Sequence, residues 1–322
     1  MAGMKINPQA SLFSLSLETL RGGGDVLDAH GGIYGWRFVA KYLQEQYGLN
    51  GTMARLRMMT QKHLLGQRRL NDAHKSVLDV LNMYGVAKTS VDEYHGTSWD
   101  WQGVCDEVHK VITGSTPSVI GQDGSAPKGF NQYTFNKMKA PKTDAFFREF
   151  DNLAAHFFGE EPELLFFQIR HTFTDTAGLF KKDAIRAASW HVDHEGLKIL
   201  KVFVNMTDVN HTNGPLRYLL KSNFGNVQNK PCHELMHDGR RRKVVPDKDT
   251  VCVTDKELFE TFDEGMLTSN EGPPGTITVV DTSGTHKDGF SENARTVLVA
   301  CFMPKRKAKQ GLPWQMTEAA LA

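Results

Sequence analysis

Downstream of Leu164 the chain changes its period, and this change constrains the fold more than any other feature of its 322 residues. Leu164 to Phe173, Lys198 to Met206, Leu216 to Leu220, Thr250 to Val253, Thr276 to Asp281 and Thr296 to Phe302 are short runs rich in β-branched and aromatic residues. Gly, Pro, Asn and Asp separate them. Such residues pack well on a pleated surface, and the intervening ones turn the chain. Strands this numerous, with no helical pattern between them, predict a sandwich or jelly roll. The expected fold class is mostly β with flanking helices.

Upstream the pattern is helical. Leu, Met, Gln, Arg and Lys dominate from Trp36 to Lys75, so residues 1–75 read as an N-terminal helical extension. Val86 to Val91 is an early strand. Ser98 is placed to cap a helix that carries Trp101, Val104, Cys105, Val108 and Val111 on one face. Phe146, Phe150, Leu153 and Phe157 recur at helical spacing and predict a single amphipathic helix ending near Gly159. Core-facing helices normally carry such stripes, so this one is assigned to packing rather than to a cofactor.

The chemistry of the chain centres on Trp190-His191-Val192-Asp193. On a strand, side chains at i and i+2 share a face, so His191 and Asp193 are able to offer an imidazole and a carboxylate to one ion. A lone His-x-Asp is commonly an ordinary polar strand face. Here His286 supplies a third ligand, and two histidines with one carboxylate favour Fe(II) with positions left open for substrate and oxygen. Arg295, nine residues further on, brings a planar guanidinium suited to grip a carboxylate through two hydrogen bonds. The co-substrate so implied is a dicarboxylate. Trp190, with its large apolar area, is assigned to the core.

These residues resemble the Fe(II)/2-oxoglutarate-dependent oxygenases of the phytanoyl-CoA dioxygenase (PhyH-like) family. The likeness runs from about Val80 to Met303. It is densest from Trp190 to Ser222 and from Thr276 to Phe302, and includes Asn213-Gly214-Pro215-Leu216 and the segment Asp281 to Arg295. The resemblance implies a double-stranded β-helix, a cupin-like jelly roll, holding the metal on its inner face. It implies His191, Asp193 and His286 as iron ligands, 2-oxoglutarate chelated to the iron with its 5-carboxylate on Arg295, and O2 as oxidant. Succinate and CO2 would be released as a substrate is oxidised. One departure is Lys221-Ser222-Asn223, where members of the family usually carry Gly-Ser-His. By the same likeness Gln168 and Thr172 are candidate contacts to 2-oxoglutarate. With Arg170 they share one face of the first strand, although a polar outer face would read the same way. Residues 76–303 then form the oxygenase domain, followed by a solvated tail over 304–322.

Substrate specificity is expected in the long stretch of residues 223–275, read as a lid. Arg170, Arg217, Arg240 and Arg241 are candidate substrate contacts, and a small polar metabolite is the favoured substrate. The run Arg240-Arg241-Arg242-Lys243 is either a solvated surface or an anion clamp. His233-Glu234-Leu235-Met236-His237 fits the His-Glu-x-x-His pattern of zinc metallopeptidases. That reading is disfavoured, because Pro231 and Gly239 leave room for only about two helical turns. A catalytically inactive binding barrel is disfavoured by the complete ligand set. Net charge is +1 and no module with interleaved basic and aromatic residues is visible, which argues against nucleic acid. Four cysteines without CxxC spacing read as reduced thiols, and no apolar run approaches the ~18 residues of a membrane span. A soluble cytoplasmic enzyme is expected.

Overall fold

The computed structural model describes residues 69–114, 130–135, 140–172, 190–193, 199–223, 243–245, 248–251, 254–289 and 293–305. In chain order the elements are helix α1 (Asp72–Tyr84), strand β1 (Val86–Ser90), helices α2 (Val91–His95) and α3 (Trp101–Gly114), and strand β2 (Phe130–Phe135). Helices α4 (Pro141–Arg148) and α5 (Asp151–Phe158) lead into β3 (Pro162–Thr172), β4 (Leu200–Asn205), β5 (Leu216–Leu219), β6 (Lys243–Val245) and β7 (Lys248–Val251). Helix α6 (Asp255–Phe259), β8 (Leu267–Ser269), β9 (Thr276–Asp281), β10 (His286–Asp288) and β11 (Arg295–Pro304) complete the order. Most of the expected extension 1–75, the segment 224–242 and nearly all of the tail lie outside the described residues.

The strands form a six-stranded antiparallel sheet, β1-β9-β4-β11-β3-β2, and a three-stranded antiparallel sheet, β10-β5-β8, while β6 and β7 pair with each other. Side-chain alternation along β11 explains how the layers stack. Leu298, Ala300 and Phe302 pack against Leu81, Phe146, Phe147 and Leu153 of the helices. Val297 and Val299 point the other way and meet Phe203 and Val280 of the large sheet together with Leu216 and Tyr218 of the small one. Both faces of the large sheet are therefore covered, and β11 is buried along its whole length. That double burial accounts for its unbroken apolar run Val297 to Met303.

The aromatic stripe does not lie on one helix. Phe146, Phe150, Leu153 and Phe157 are all buried, but the chain divides between α4 and α5, where the Phe150 N–H bonds the Phe147 carbonyl in a tighter turn. The expected face of α3 is buried at Val104 and Val108, and the Gly103 N–H near its start is capped by Asp100 rather than by Ser98. Gly159 ends α5 in the left-handed region at φ 69°. Lys221, at the departure from the family pattern, has φ 60°. A glycine would take this conformation without cost, whereas a residue with a Cβ gives up roughly 1–2 kcal/mol. Among the described residues no helix is long and apolar enough to cross a membrane.

Candidate active site

The pairing of β10 with β5 sets the direction of its three side chains. His286 lies opposite Tyr218, and Asp288 opposite Leu216. Since Leu216 and Tyr218 pack between the sheets, His286 and Asp288 face that interior while Lys287 and Arg217 face outward. The segment 190–193 runs beside β10 through reciprocal backbone bonds of 2.9 Å between His191 and His286. The Asp193 N–H adds a bond of 2.9 Å to the Thr282 carbonyl. These bonds bring together residues nearly a hundred positions apart. The imidazole centroids of His191 and His286 lie 4.5 Å apart, and one potential ligand atom from each of His191, Asp193 and His286 lies within 4.8 Å of the others.

Protonation within this cluster suits a cation. His286 Nδ1 lies 2.8 Å from the Gly284 carbonyl, an acceptor that fixes the proton on Nδ1 and leaves the Nε2 lone pair 3.9 Å from Asp193 Oδ1. Burial, then the proximity of His191, pushes His286 down to about 4, so the ring is neutral at ordinary pH. Burial pushes the Asp193 carboxyl up, but the Lys201 ammonium beside it outweighs burial and holds the group well below the usual carboxylate range. Lys201 Nζ donates to Asp193 Oδ2 at 2.6 Å. Burial lowers Lys201 in turn, and Asp193 more than offsets it. Lys201 was not foreseen from sequence. The signal available was a lysine at an inward position within the run Leu200–Val204, whose other four residues are apolar.

A second polar group lies in the same interior. Arg295 opens β11 opposite Thr172 and is buried. Its Nη1 has no hydrogen-bond partner among the described residues, and its Nη2 lies 3.9 Å from Asp288 Oδ1. Burial lowers the guanidinium, an effect that Asp288 opposes. Arg170 Nη1 lies 3.6 Å from the other Asp288 oxygen. Gln168 and Arg170 stand opposite Val299 and Val297, so both face inward, and Gln168 is buried. Arg217, on the outward face of β5, is not brought to the three candidate ligands. Arg240, Arg241 and the whole His233-Glu234-x-x-His237 motif lie outside the described residues.

Two imidazole nitrogens and a carboxylate oxygen gathered this closely fit a divalent transition metal, and the unpartnered buried Nη1 of Arg295 fits a carboxylate oxygen. No family model matches the chain, and no curated protein matches it. Solved structures similar to it include the non-haem α-ketoglutarate-dependent epimerase SnoN from nogalamycin biosynthesis. That likeness has 14% identity and a TM-score of 0.46 and covers 72% of this chain and 81% of that one. EctD from S. alaskensis, crystallised with 2-oxoglutarate and 5-hydroxyectoine, is 12% identical with a TM-score of 0.49, over 74% and 79%. HygX from Streptomyces hygroscopicus, with nickel and 2-oxoglutarate bound, is 12% identical with a TM-score of 0.43, over 74% and 88%. At such identities and scores the likeness assigns no chemistry to this chain.

Proposed function

We propose that this protein is a non-haem Fe(II)- and 2-oxoglutarate-dependent dioxygenase of the PhyH-like type, acting on a small polar metabolite. The observation that carries the reading is the convergence of His191, Asp193 and His286 in an interior that also holds the unpartnered guanidinium nitrogen of Arg295. The two sheets, facing each other across that interior, are read as a double-stranded β-helix, with residues 76–303 as the oxygenase domain. Sparse cysteines, with Cys105 and Cys301 free, support a reducing cytoplasmic setting.

In this reading His191, Asp193 and His286 hold the iron, Arg295 takes the 5-carboxylate of 2-oxoglutarate, and Gln168 and Thr172 are the further proposed contacts to that co-substrate. Together, bound iron and 2-oxoglutarate would supply activation of O2 and oxidation of a substrate C–H bond, with release of succinate and CO2. The chain contributes placement. Gly284 orients the His286 ring, Lys201 restrains Asp193 at one oxygen, and Val297, Val299 and Phe203 supply apolar surface to the same interior. Arg170, beside Asp288, is the described arginine best placed to meet a polar substrate. The test is a panel of metabolites scored for substrate-stimulated succinate formation by the Fe(II)-loaded protein. At least one should stimulate the wild type and leave His286→Ala silent. Equal succinate formation by both proteins would refute the reading.

A further inference from the structure

Helix α6 lies outside the ligand cluster, yet its first residue holds both segments that carry the histidines. Trp190 Nε1 donates to Asp255 Oδ1 at 2.6 Å, and Lys287 Nζ donates to the same oxygen. The ammonium also sits 5.0 Å from the centroid of the Trp190 ring. Trp190 immediately precedes His191, and Lys287 immediately follows His286. Neighbouring residues on extended chain point to opposite faces, so an outward side chain that is held fast sets the direction of the inward one beside it.

The helix that carries Asp255 is well anchored, while the carboxylate itself is 55% exposed. Thr254 and Glu257 form a reciprocal capping box at the start of α6, and Leu258 and Phe262 pack with Trp190, Val192 and Leu219. Trp190 is fully buried and Lys287 is 7% exposed, so neither has water as a ready substitute for the carboxylate. One oxygen therefore ties the chain on both sides of the ligand cluster to a helix within the stretch assigned to substrate recognition.

We propose that Asp255 is a positioning residue that, through Trp190 and Lys287, fixes the orientation of His191 and His286 and so tunes metal affinity. This inference rests on reading those histidines as metal ligands, and the test separates the two claims. Co(II), whose visible bands report its coordination, is titrated into the full-length apo-protein. Wild type should bind one Co(II), and His191→Ala and His286→Ala should not. Asp255→Ala should weaken binding by about tenfold or more and shift the bands, the size expected when a group orienting a metal ligand is removed. Asp255→Asn, which keeps an oxygen for Trp190 but no charge for Lys287, should fall between. Lys256→Ala, exposed on the same helix, should match wild type.

Trp190→Phe combined with Asp255→Asn should weaken binding by less than the product of the single effects, because both act through one contact. This pair also carries the test if Asp255→Ala does not fold. Should the Asp255 variants lower Tm while affinity and spectrum stay at wild-type values, the role is structural only and the positioning claim fails with the metal site intact. If wild type binds no Co(II), or binding survives both histidine variants, the metal site itself falls and the positioning claim with it.

Discussion

The carboxylate of Asp193 is restrained at one oxygen, since Oδ2 is held by Lys201, and a cation at the proposed site would meet Oδ1, which lies toward His286. Such restraint keeps the group from swinging between coordination modes. Arg295 is buried with one nitrogen unpartnered, so its removal should act on the co-substrate more than on the metal. We expect Arg295→Ala to weaken 2-oxoglutarate binding by about 1.5–3 kcal/mol, roughly 10- to 150-fold, with Co(II) affinity little changed. Calorimetric titration of the metal-loaded protein checks this, and unchanged 2-oxoglutarate affinity would place the anchor elsewhere. At this scale the sequence was most readable where spacing alone creates proximity. His191 and Asp193 at i and i+2 are such a case. Lys201 and Asp255 were not readable, because their contacts to Asp193 and Trp190 depend on register and on packing between elements rather than on local spacing.

Between residues and fold stands the turn that delivers His286. Asp281 accepts from the Ser283 N–H at 3.1 Å and from Ser283 Oγ at 2.7 Å, the Gly284 N–H closes onto the Asp281 carbonyl, and Tyr218 donates to that same carbonyl at 3.1 Å. A Cβ at Gly284 would lie 1.9 Å from the Tyr218 hydroxyl oxygen and 2.5 Å from its ring carbon. Gly284→Ala must therefore displace the Tyr218 ring or the turn. We expect a loss of about 1–3 kcal/mol, read as a lower Tm, together with weaker Co(II) binding, because the Gly284 carbonyl orients His286. Wild-type Tm and affinity in this variant would show that the turn does not set the site. Elements of five or more residues with a clear period were legible in the sequence, such as β1, β3, β4, β9 and β11. Three-residue β10 was not, although it carries His286, since a period of two has no room to show in three residues. The helical stripe was legible as a buried face but not as two helices, because a tight turn at Phe150 preserves the spacing of the apolar residues.

At the scale of the whole molecule, helices, large sheet and small sheet stack so that titratable groups are enclosed between the two sheets, and stability should follow pH accordingly. His286 titrates near 4 when folded and near 6.5 when unfolded, so between these values the unfolded chain takes up a proton that the folded one refuses. Stability of the apo-protein should thus fall as pH drops from about 6.5 toward 4, by on the order of 3 kcal/mol from this group. Asp193 acts at lower pH. Its carboxyl is depressed on folding, so its contribution is present above the ordinary carboxylate range and is lost only as acid protonates it. Urea unfolding at pH 7.5 and 5 checks the first part, and equal midpoints would contradict the burial of a neutral His286. The layered β fold was legible because sandwiched strands must alternate or run apolar. The separation into a six- and a three-stranded sheet was not, since strand pairing is decided across long sequence distances. In the proposed site His191, Asp193 and His286 hold Fe(II) with 2-oxoglutarate anchored at Arg295. Its most direct measurement is visible absorption of the protein loaded anaerobically with both. Wild type should show a weak metal-to-ligand charge-transfer band that is absent in His191→Ala and His286→Ala, whereas no band in wild type, or the same band in both variants, would overturn the proposed site.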